Sequence, residues 1–165
     1  MNSVISSHSP QAVSQAVSVL NAGGLVGLPT ETVYGLAARA DIDAAVANIF
    51  RAKGRPTGHP LILHIADISE LDRYAFNVPS AALTLAQHCW PGPLTLLLHK
   101  TNAVSHLVTG GRETVAIRIP ANDCALKIIE QCGHGLAAPS ANTFGHVSPS
   151  TAQHVLDDLG DRVDL

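Results

Sequence analysis

The sequence predicts an α/β fold built on a mixed sheet, and three observations carry that expectation. Short apolar runs of buried-strand type alternate along the chain with segments of helical periodicity. The connections between them are short, which allows antiparallel pairs beside parallel ones. Finally, 165 residues that are 46% hydrophobic and 14% charged suffice for one domain with a real core, without metals or disulfides. Aromatics are scarce, so that core is to be built from Val, Leu, Ile and Ala.

Ser9-Pro10 predicts a helix start, with Ser as N-cap and Pro in the first turn. Val13, Ala16, Val17 and Leu20 recur at helical spacing until Gly23-Gly24 stops the helix. Leu25-Val26-Gly27-Leu28 reads as a buried strand ended by Pro29. The stretch Thr30-Glu31-Thr32-Val33-Tyr34-Gly35-Leu36 then lies just past a strand end, where α/β sheets hold ligands. Taken alone, it reads as a capped turn.

Asp41 is the expected cap of a second helix to about Arg51, with Ile42, Val46, Ile49 and Phe50 as its apolar face. Three of the ten basic residues, Arg51, Lys53 and Arg55, then fall within five positions. Gly54, Pro56 and Gly58 turn the chain there, and Pro60 leads into the strand Leu61-Ile62-Leu63-His64-Ile65. Positive charge on a rigid loop feeding a core strand suits a multiply charged anion. On charge alone the favoured reading is a solvated basic turn after a helix.

Ser69 to Tyr74 reads as a short helix with a capping box from Ser69 to Asp72. Pro79-Ser80 opens another helix, whose Leu83, Leu85, Ala86 and Cys89 are expected to be buried. Trp90-Pro91-Gly92-Pro93 makes a rigid corner, and a strand resumes from Leu94 to Leu98. After the loop Thr109-Gly110-Gly111-Arg112, residues 114–119 alternate as a strand. In that alternation Arg118 shares a face with Thr114 and Ala116, which on its own describes an outward-facing arginine. A helix from about Asp123 to Cys132 is closed by Gly133. Leu136-Ala137-Ala138 is a short strand running into Pro139-Ser140-Ala141-Asn142. Ser148-Pro149 is read as the start of a last helix to about Leu159, and residues 161–165 as the entry to another strand.

The formal net charge of −3 excludes a generally basic nucleic-acid binder while leaving room for a local basic patch. Cys89, Cys124 and Cys132 are odd in number and form no Cys-x-x-Cys pair, which favours buried free thiols in a reducing compartment. The start Met-Asn-Ser-Val-Ile-Ser-Ser-His lacks the basic end and apolar core of a signal peptide, and no apolar run approaches a membrane span. A cytoplasmic protein without a membrane partner is expected.

The polar groups at strand ends and in rigid loops are Thr30, Thr32, Lys53, Arg55, His59, His64, Thr114, Arg118, Ser140, Asn142 and Ser148. That set is rich in cations and hydroxyl or amide donors and poor in carboxylates, which argues against paired-carboxylate chemistry. There is no Gly-x-Ser-x-Gly elbow, no phosphate loop ending in Gly-Lys-Ser/Thr and no Gly-x-Gly-x-x-Gly. His59 and His64 with the distant Cys124 and Cys132 do not make a zinc set, and no metal site is expected. The set suits phosphate, carboxylate or carbonate ligands, with electrostatic stabilisation of a phosphoryl or acyl transfer and no protein nucleophile.

Five motifs give these residues a common pattern: Pro29-Thr-Glu-Thr-Val-Tyr-Gly-Leu36, Lys53-Gly-Arg-Pro56 leading to Pro60-Leu-Ile-Leu-His64, Trp90-Pro-Gly-Pro-Leu94, Thr114-Val-Ala-Ile-Arg118 and Ala138-Pro-Ser-Ala-Asn142. In order and spacing the chain resembles the YrdC-like family, the threonylcarbamoyl-AMP synthases of tRNA modification, from about Gln11 to Arg162. The resemblance implies a twisted open sheet flanked by helices, with a large concave, positively charged cavity. It also implies a reaction in which L-threonine, bicarbonate or carbon dioxide, and ATP give threonylcarbamoyl-AMP and pyrophosphate. A separate transferase complex then modifies an adenosine beside the tRNA anticodon.

By the same resemblance Lys53, Arg55, Ser140 and Asn142 line the active cavity. Thr32, His64, Arg118 and the backbone at Ala138 hold threonine; Arg55, His59, Thr114, Ser140 and Ser148 hold ATP, and Mg²⁺ arrives with ATP. Residues 1–165 are expected to form one YrdC-like domain lacking the family's further strand, Gly-rich turn and Glu-Ser-Thr segment, with an exposed sheet edge. Two other readings are an RNA-binding module and a carbamoyl-adenylate-handling domain of hydrogenase-maturation type. The sequence assigns no oligomeric state.

Overall fold

The structure, a computed structural model, describes residues 4–165. Met1 to Ser3, the start of the stretch read against a leader, lie outside the described residues. Six strands form one mixed sheet: β1 (Val26–Leu28), β2 (Gly35–Arg39), β3 (Ile62–His64), β4 (Leu96–His99), β5 (Thr114–Arg118) and β6 (Leu136–Ala137), in the order β1-β2-β6-β3-β5-β4. Only β3 and β5 run parallel; the other neighbours are antiparallel.

The helices are α1 (Ala12–Asn21), α2 (Asp43–Lys53), α3 (Leu71–Tyr74), α4 (Ser80–Cys89), α5 (His106–Thr109), α6 (Asp123–Cys132) and α7 (Ala152–Leu159). Two cores divide the sheet's faces. Leu36 and Ala38 of β2, Leu63 of β3 and Val115 and Ile117 of β5 pack with Val46, Ile49 and Phe50 of α2. On the opposite face Ala37, Leu136 and Ala138 pack with Ala16 and Leu20 of α1 and Ile128 and Ile129 of α6.

That second cover reaches only part of the sheet. Residues paired across an antiparallel ladder share a face, so Leu97 and His99 of β4 lie beside Ala116 and Thr114 of β5. Thr114 and Ala116 are half-buried and Leu97 is 68% exposed. The β3–β5–β4 end therefore presents an open floor, and the site is built there.

The apolar strands and the helices α2, α4, α6 and α7 lie where the sequence puts them, but β2 is an addition. Gly-Leu-Ala-Ala-Arg lacks the β-branched residues of a typical strand. It is a strand because β1 and β6 complete its ladder on both sides while helices press on both faces, which favours small side chains. A Cβ on Gly35 would stand 3.3 Å from the Cβ of Ala138.

Four of the expected caps are corrected. Ser9 closes a turn, accepting from the Gln11 N–H at 3.4 Å, and α1 begins at Ala12. Asp41 does not cap α2, because Arg39 takes both its oxygens at 3.0 and 2.6 Å. The capping box belongs to Asp67 and Glu70 in place of Ser69 and Asp72, on a 3₁₀ turn leading into α3. Thr151, not Ser148, caps α7.

Burial on α4 is also narrower than expected. Only Ala86 is buried, with Ala82 and Trp90 partly packed on the core, whereas Leu83 and Leu85 are 38% and 49% exposed and Cys89 is exposed. The inward stripe is the row Ala82–Ala86–Trp90 at four-residue spacing, so the leucines fall off it.

The tail makes a 3₁₀ turn at Gly160–Arg162 before extending along β1. Gly27 donates to the Leu165 carbonyl at 2.7 Å, and Asp164 donates to the Leu25 carbonyl at 3.0 Å. The Asp164 carboxylate accepts from the Leu25 N–H at 2.7 Å. This covers the β1 edge, although the tail is not itself a strand of the sheet.

Candidate functional site

Arg118 closes β5 and lies opposite His64 in the parallel β3–β5 register. Its place on the open face follows from strand alternation, yet it is only 8% exposed. Two loops fold over it. Its Nε donates to the Gly92 carbonyl of the proline corner at 3.1 Å. Its Nη2 donates to Glu31 Oε1 at 2.5 Å and to Thr32 Oγ1 at 3.2 Å. The β1–β2 loop that brings Glu31 and Thr32 is a tight turn: Thr30 Oγ1 donates to the Val33 carbonyl at 2.6 Å and accepts from the Val33 N–H at 3.2 Å.

His64 is 2% exposed and its Nδ1 has no hydrogen-bond partner. Burial, reinforced by the Arg118 cation, pushes its pKa down to about 4, so the ring is neutral near pH 7. Burial works to raise the Glu31 carboxyl, but the Arg118 hydrogen bond and charge, with backbone N–H groups, outweigh it and hold the group below the usual range.

A second cluster is centred on Lys53, the last residue of α2, where Gly54 in the left-handed region ends the helix. The sequence reading leaves open a solvated basic turn, and for Lys53 the structure excludes it. Lys53 is 1% exposed, and its Nζ donates to the carbonyls of Ser140 and Asn142, each at 2.5 Å. Its pKa falls to about 8 through burial and the nearby Arg55 cation. Asn142 Nδ2 donates to the Thr143 and His146 carbonyls at 2.7 and 2.9 Å, while its buried Oδ1 has no partner.

Arg55 donates from Nη2 to the Pro60 carbonyl at 2.9 Å, its Nε is buried without a partner, and its Cζ stands 5.6 Å from the centre of the Phe144 ring. The His59 ring meets Phe144 edge-on at 5.2 Å. Phe144 in turn donates its N–H to the Lys53 carbonyl at 2.7 Å, which ties this trio to the Lys53 cluster.

The β1–β2 loop links both clusters. Gly35 pairs with Ser140, Ala141 donates to the Tyr34 carbonyl at 2.8 Å, and Tyr34 donates to the Pro149 carbonyl at 2.8 Å. Ala138 is buried and donates to the Ile62 carbonyl at 3.0 Å, two residues before His64. Thr114 shares the open face with Arg118 at the far end of β5. His59 and Ser148 are exposed at the rim, and Ser140 is half-buried.

Sequence reasoning misses two participants. Glu31 lies inside a quoted motif, but the emphasis on cations passes over its carboxylate. Phe144 carries a weaker signal: one of only three phenylalanines, two residues after Asn142. Two depressions lie elsewhere: an apolar one of about 90 Å³ touching Val26, Ile128 and Val155, and a more open one of about 620 Å³ touching Gly58, Lys100 and His106. Neither is lined by Lys53, His64, Arg118 or Asn142.

An open sheet face carrying Arg118 and a neutral imidazole, with Lys53, Arg55 and a clamped Ser–Asn loop beside it, defines an α/β protein suited to small anionic ligands. A family model described as Sua5_yciO_yrdC, telomere recombination, matches residues 18–165. The chain belongs to this Sua5/YciO/YrdC family. It is 49% identical over 160 residues to a threonylcarbamoyl-AMP synthase of Bacillus subtilis, covering 96% of this chain and 46% of that protein. The corresponding values for a threonylcarbamoyl-AMP synthase of Pyrococcus abyssi are 48% over 149 residues, with 90% and 44% covered. A crystal structure of P. abyssi Sua5 complexed with L-threonine superposes with a TM-score of 0.91 at 45% identity, covering 99% of this chain and 47% of that one. The chain thus spans less than half the length of these relatives.

Proposed function

We propose that this chain carries the site of threonylcarbamoyl-AMP synthesis, in which L-threonine, bicarbonate or carbon dioxide, and ATP give threonylcarbamoyl-AMP and pyrophosphate. The product would serve a separate transferase complex acting on tRNA beside the anticodon. One observation carries the reading. Among the described residues, the buried side-chain polar atoms without a partner are Arg55 Nε, His64 Nδ1 and Asn142 Oδ1, and all three residues belong to the set the family resemblance singles out. Buried polar atoms are normally satisfied, so three orphans in one functional set mark ligand positions. The relatives' printed names and the threonine complex support the choice of ligand.

In this reading Arg118 and Thr32 receive the threonine carboxylate, with neutral His64 and the Ala138 backbone beside it. Arg55, with His59, Thr114, Ser140 and Ser148, holds the triphosphate. Lys53 acts through its two-carbonyl clamp, which sets the positions of Ser140 and Asn142 while its charge offsets the phosphates. The threonine nitrogen forms a bond to the carbon of carbon dioxide and loses a proton, giving a carbamate. A carbamate oxygen then bonds to the α-phosphorus as the bond to pyrophosphate breaks. The protein supplies positioning and charge stabilisation and no covalent intermediate.

Magnesium would enter on ATP. The side chains assigned to the triphosphate are cations and neutral donors, so phosphates and water would supply the metal's ligands. Among the described residues no helix is long and apolar enough to cross a membrane, and the three cysteines are unpaired. We place the reaction in the cytoplasm.

The test is mass spectrometry of the product formed from L-threonine, ATP, Mg²⁺ and isotopically labelled bicarbonate. The reading requires an adenylate that carries both the threonine and the labelled carbon. An adenylate of threonine without the labelled carbon would overturn it.

A further inference from the structure

Arg118 has little unclaimed capacity. Its Nε edge is closed by the Gly92 carbonyl, and Gly92 is itself fixed by donating to the Ile119 carbonyl at 2.8 Å. Nη2 is taken by Glu31 and Thr32, and among the described residues Nη1 has no partner. A guanidinium grips a carboxylate best through two parallel N–H groups on adjacent nitrogens. The edge left for an incoming carboxylate is Nη1–Nη2, and its Nη2 end already donates to Glu31 and Thr32.

We infer that Glu31 is a resident carboxylate, a positioning residue that holds the Arg118 fork before ligand binds and yields Nη2 to the carboxylate of the amino-acid substrate. This rests on the reading that Arg118 receives that carboxylate. The arrangement answers a physical need, because a guanidinium as buried as Arg118 is costly without an anionic partner. Glu31 can move without dragging the fold. Its side chain is 20% exposed, and the turn that carries it is closed by Thr30 and not by Glu31. The charge kept on Glu31 makes it a competitor for Nη2 and a source of repulsion toward a second carboxylate. Glu31 thereby sets threonine affinity and discriminates against ligands too weakly anionic to displace it.

The test is calorimetric titration of L-threonine, and of its carboxylate-free analogue L-threoninol, into the wild type, Glu31→Gln and Arg118→Gln chains, with thermal melts to confirm folding. Glu31→Gln keeps the side-chain shape and removes the competing charge. It is expected to bind threonine about tenfold more tightly while leaving threoninol affinity unchanged. Unchanged or weaker threonine binding by Glu31→Gln would overturn the inference, and so would an equal gain for both ligands, which describes general loosening. Wild-type threonine affinity in Arg118→Gln would instead remove the underlying site reading.

Discussion

His64 and Arg118 stand opposite each other on the two parallel strands of an otherwise antiparallel sheet. This pairing sets a buried imidazole beside a buried guanidinium, and the cation helps burial keep the ring neutral. Between pH 6.5 and about 4 the unfolded chain therefore binds a proton at His64 that the folded chain refuses. Stability at this site is fully present above pH 6.5 and is lost as pH falls toward 4. We expect His64→Gln to flatten the acid limb of a denaturant-midpoint series across that window. Glu31, held below its ordinary value by Arg118, should leave a slope of its own at the acid end in the variant. An unchanged limb between pH 6.5 and 4 would show that His64 is not the refused proton.

Lys53→Met tests the two-carbonyl clamp. Removing Nζ strands the Ser140 and Asn142 carbonyls, and we expect a loss of about 2–4 kcal/mol in urea unfolding. Product formation should be lost even where the variant is fully folded. The titration sign is opposite in sense to that of a stabilising pair: with a pKa lowered to about 8, the wild type gains stability as pH rises from 8 toward 10.5, and the variant should lose that rise.

Much of the fold was legible because its signals are local. The apolar runs of β1, β3 and β5 are strands, and Gly133 closes α6 as read, in the left-handed region like Gly54 after α2. What was not legible depends on partners distant in sequence. The Ala-Ala core of β2 has no strand preference of its own and acquires one from β1 and β6. Asp41 looks like a cap until Arg39 claims it, and His134 also lies 3.3 Å from it. At the site, sequence supplies the residue set but not its burial. A lysine in a Gly-flanked basic run reads as solvent-facing, and only the fold brings the carbonyls of Ser140 and Asn142 to it.

Phe144→Ala probes the aromatic contact with Arg55 and His59. The ring orients the guanidinium without touching the reacting atoms in our reading. Steady-state kinetics should show the KM for ATP rising about two- to fivefold with little change in kcat. Phe144→Tyr should restore it. A change confined to the threonine KM would contradict the placement of Arg55 at the nucleotide.

Gly110→Ala tests how the basic loop is seated. Gly110 has φ of +59°, and a Cβ there would lie 2.6 Å from the Gly58 carbonyl oxygen. Both the conformation and the backbone clash oppose the substitution, so we expect a loss of about 1–3 kcal/mol in thermal or urea unfolding. Arg112, which donates to the same Gly58 oxygen at 2.9 Å, should be released with it. Wild-type stability would mean that the loop is not held by this contact.

The most direct test of the central claim is pyrophosphate release from ATP and Mg²⁺ by the purified chain, with L-threonine and bicarbonate omitted in turn. The account predicts release when both are present and none when either is left out, with Arg55→Ala and Asn142→Ala losing most of the rate while remaining folded. Release that ignores threonine or bicarbonate, or no release from the folded chain supplied with all substrates, would contradict it.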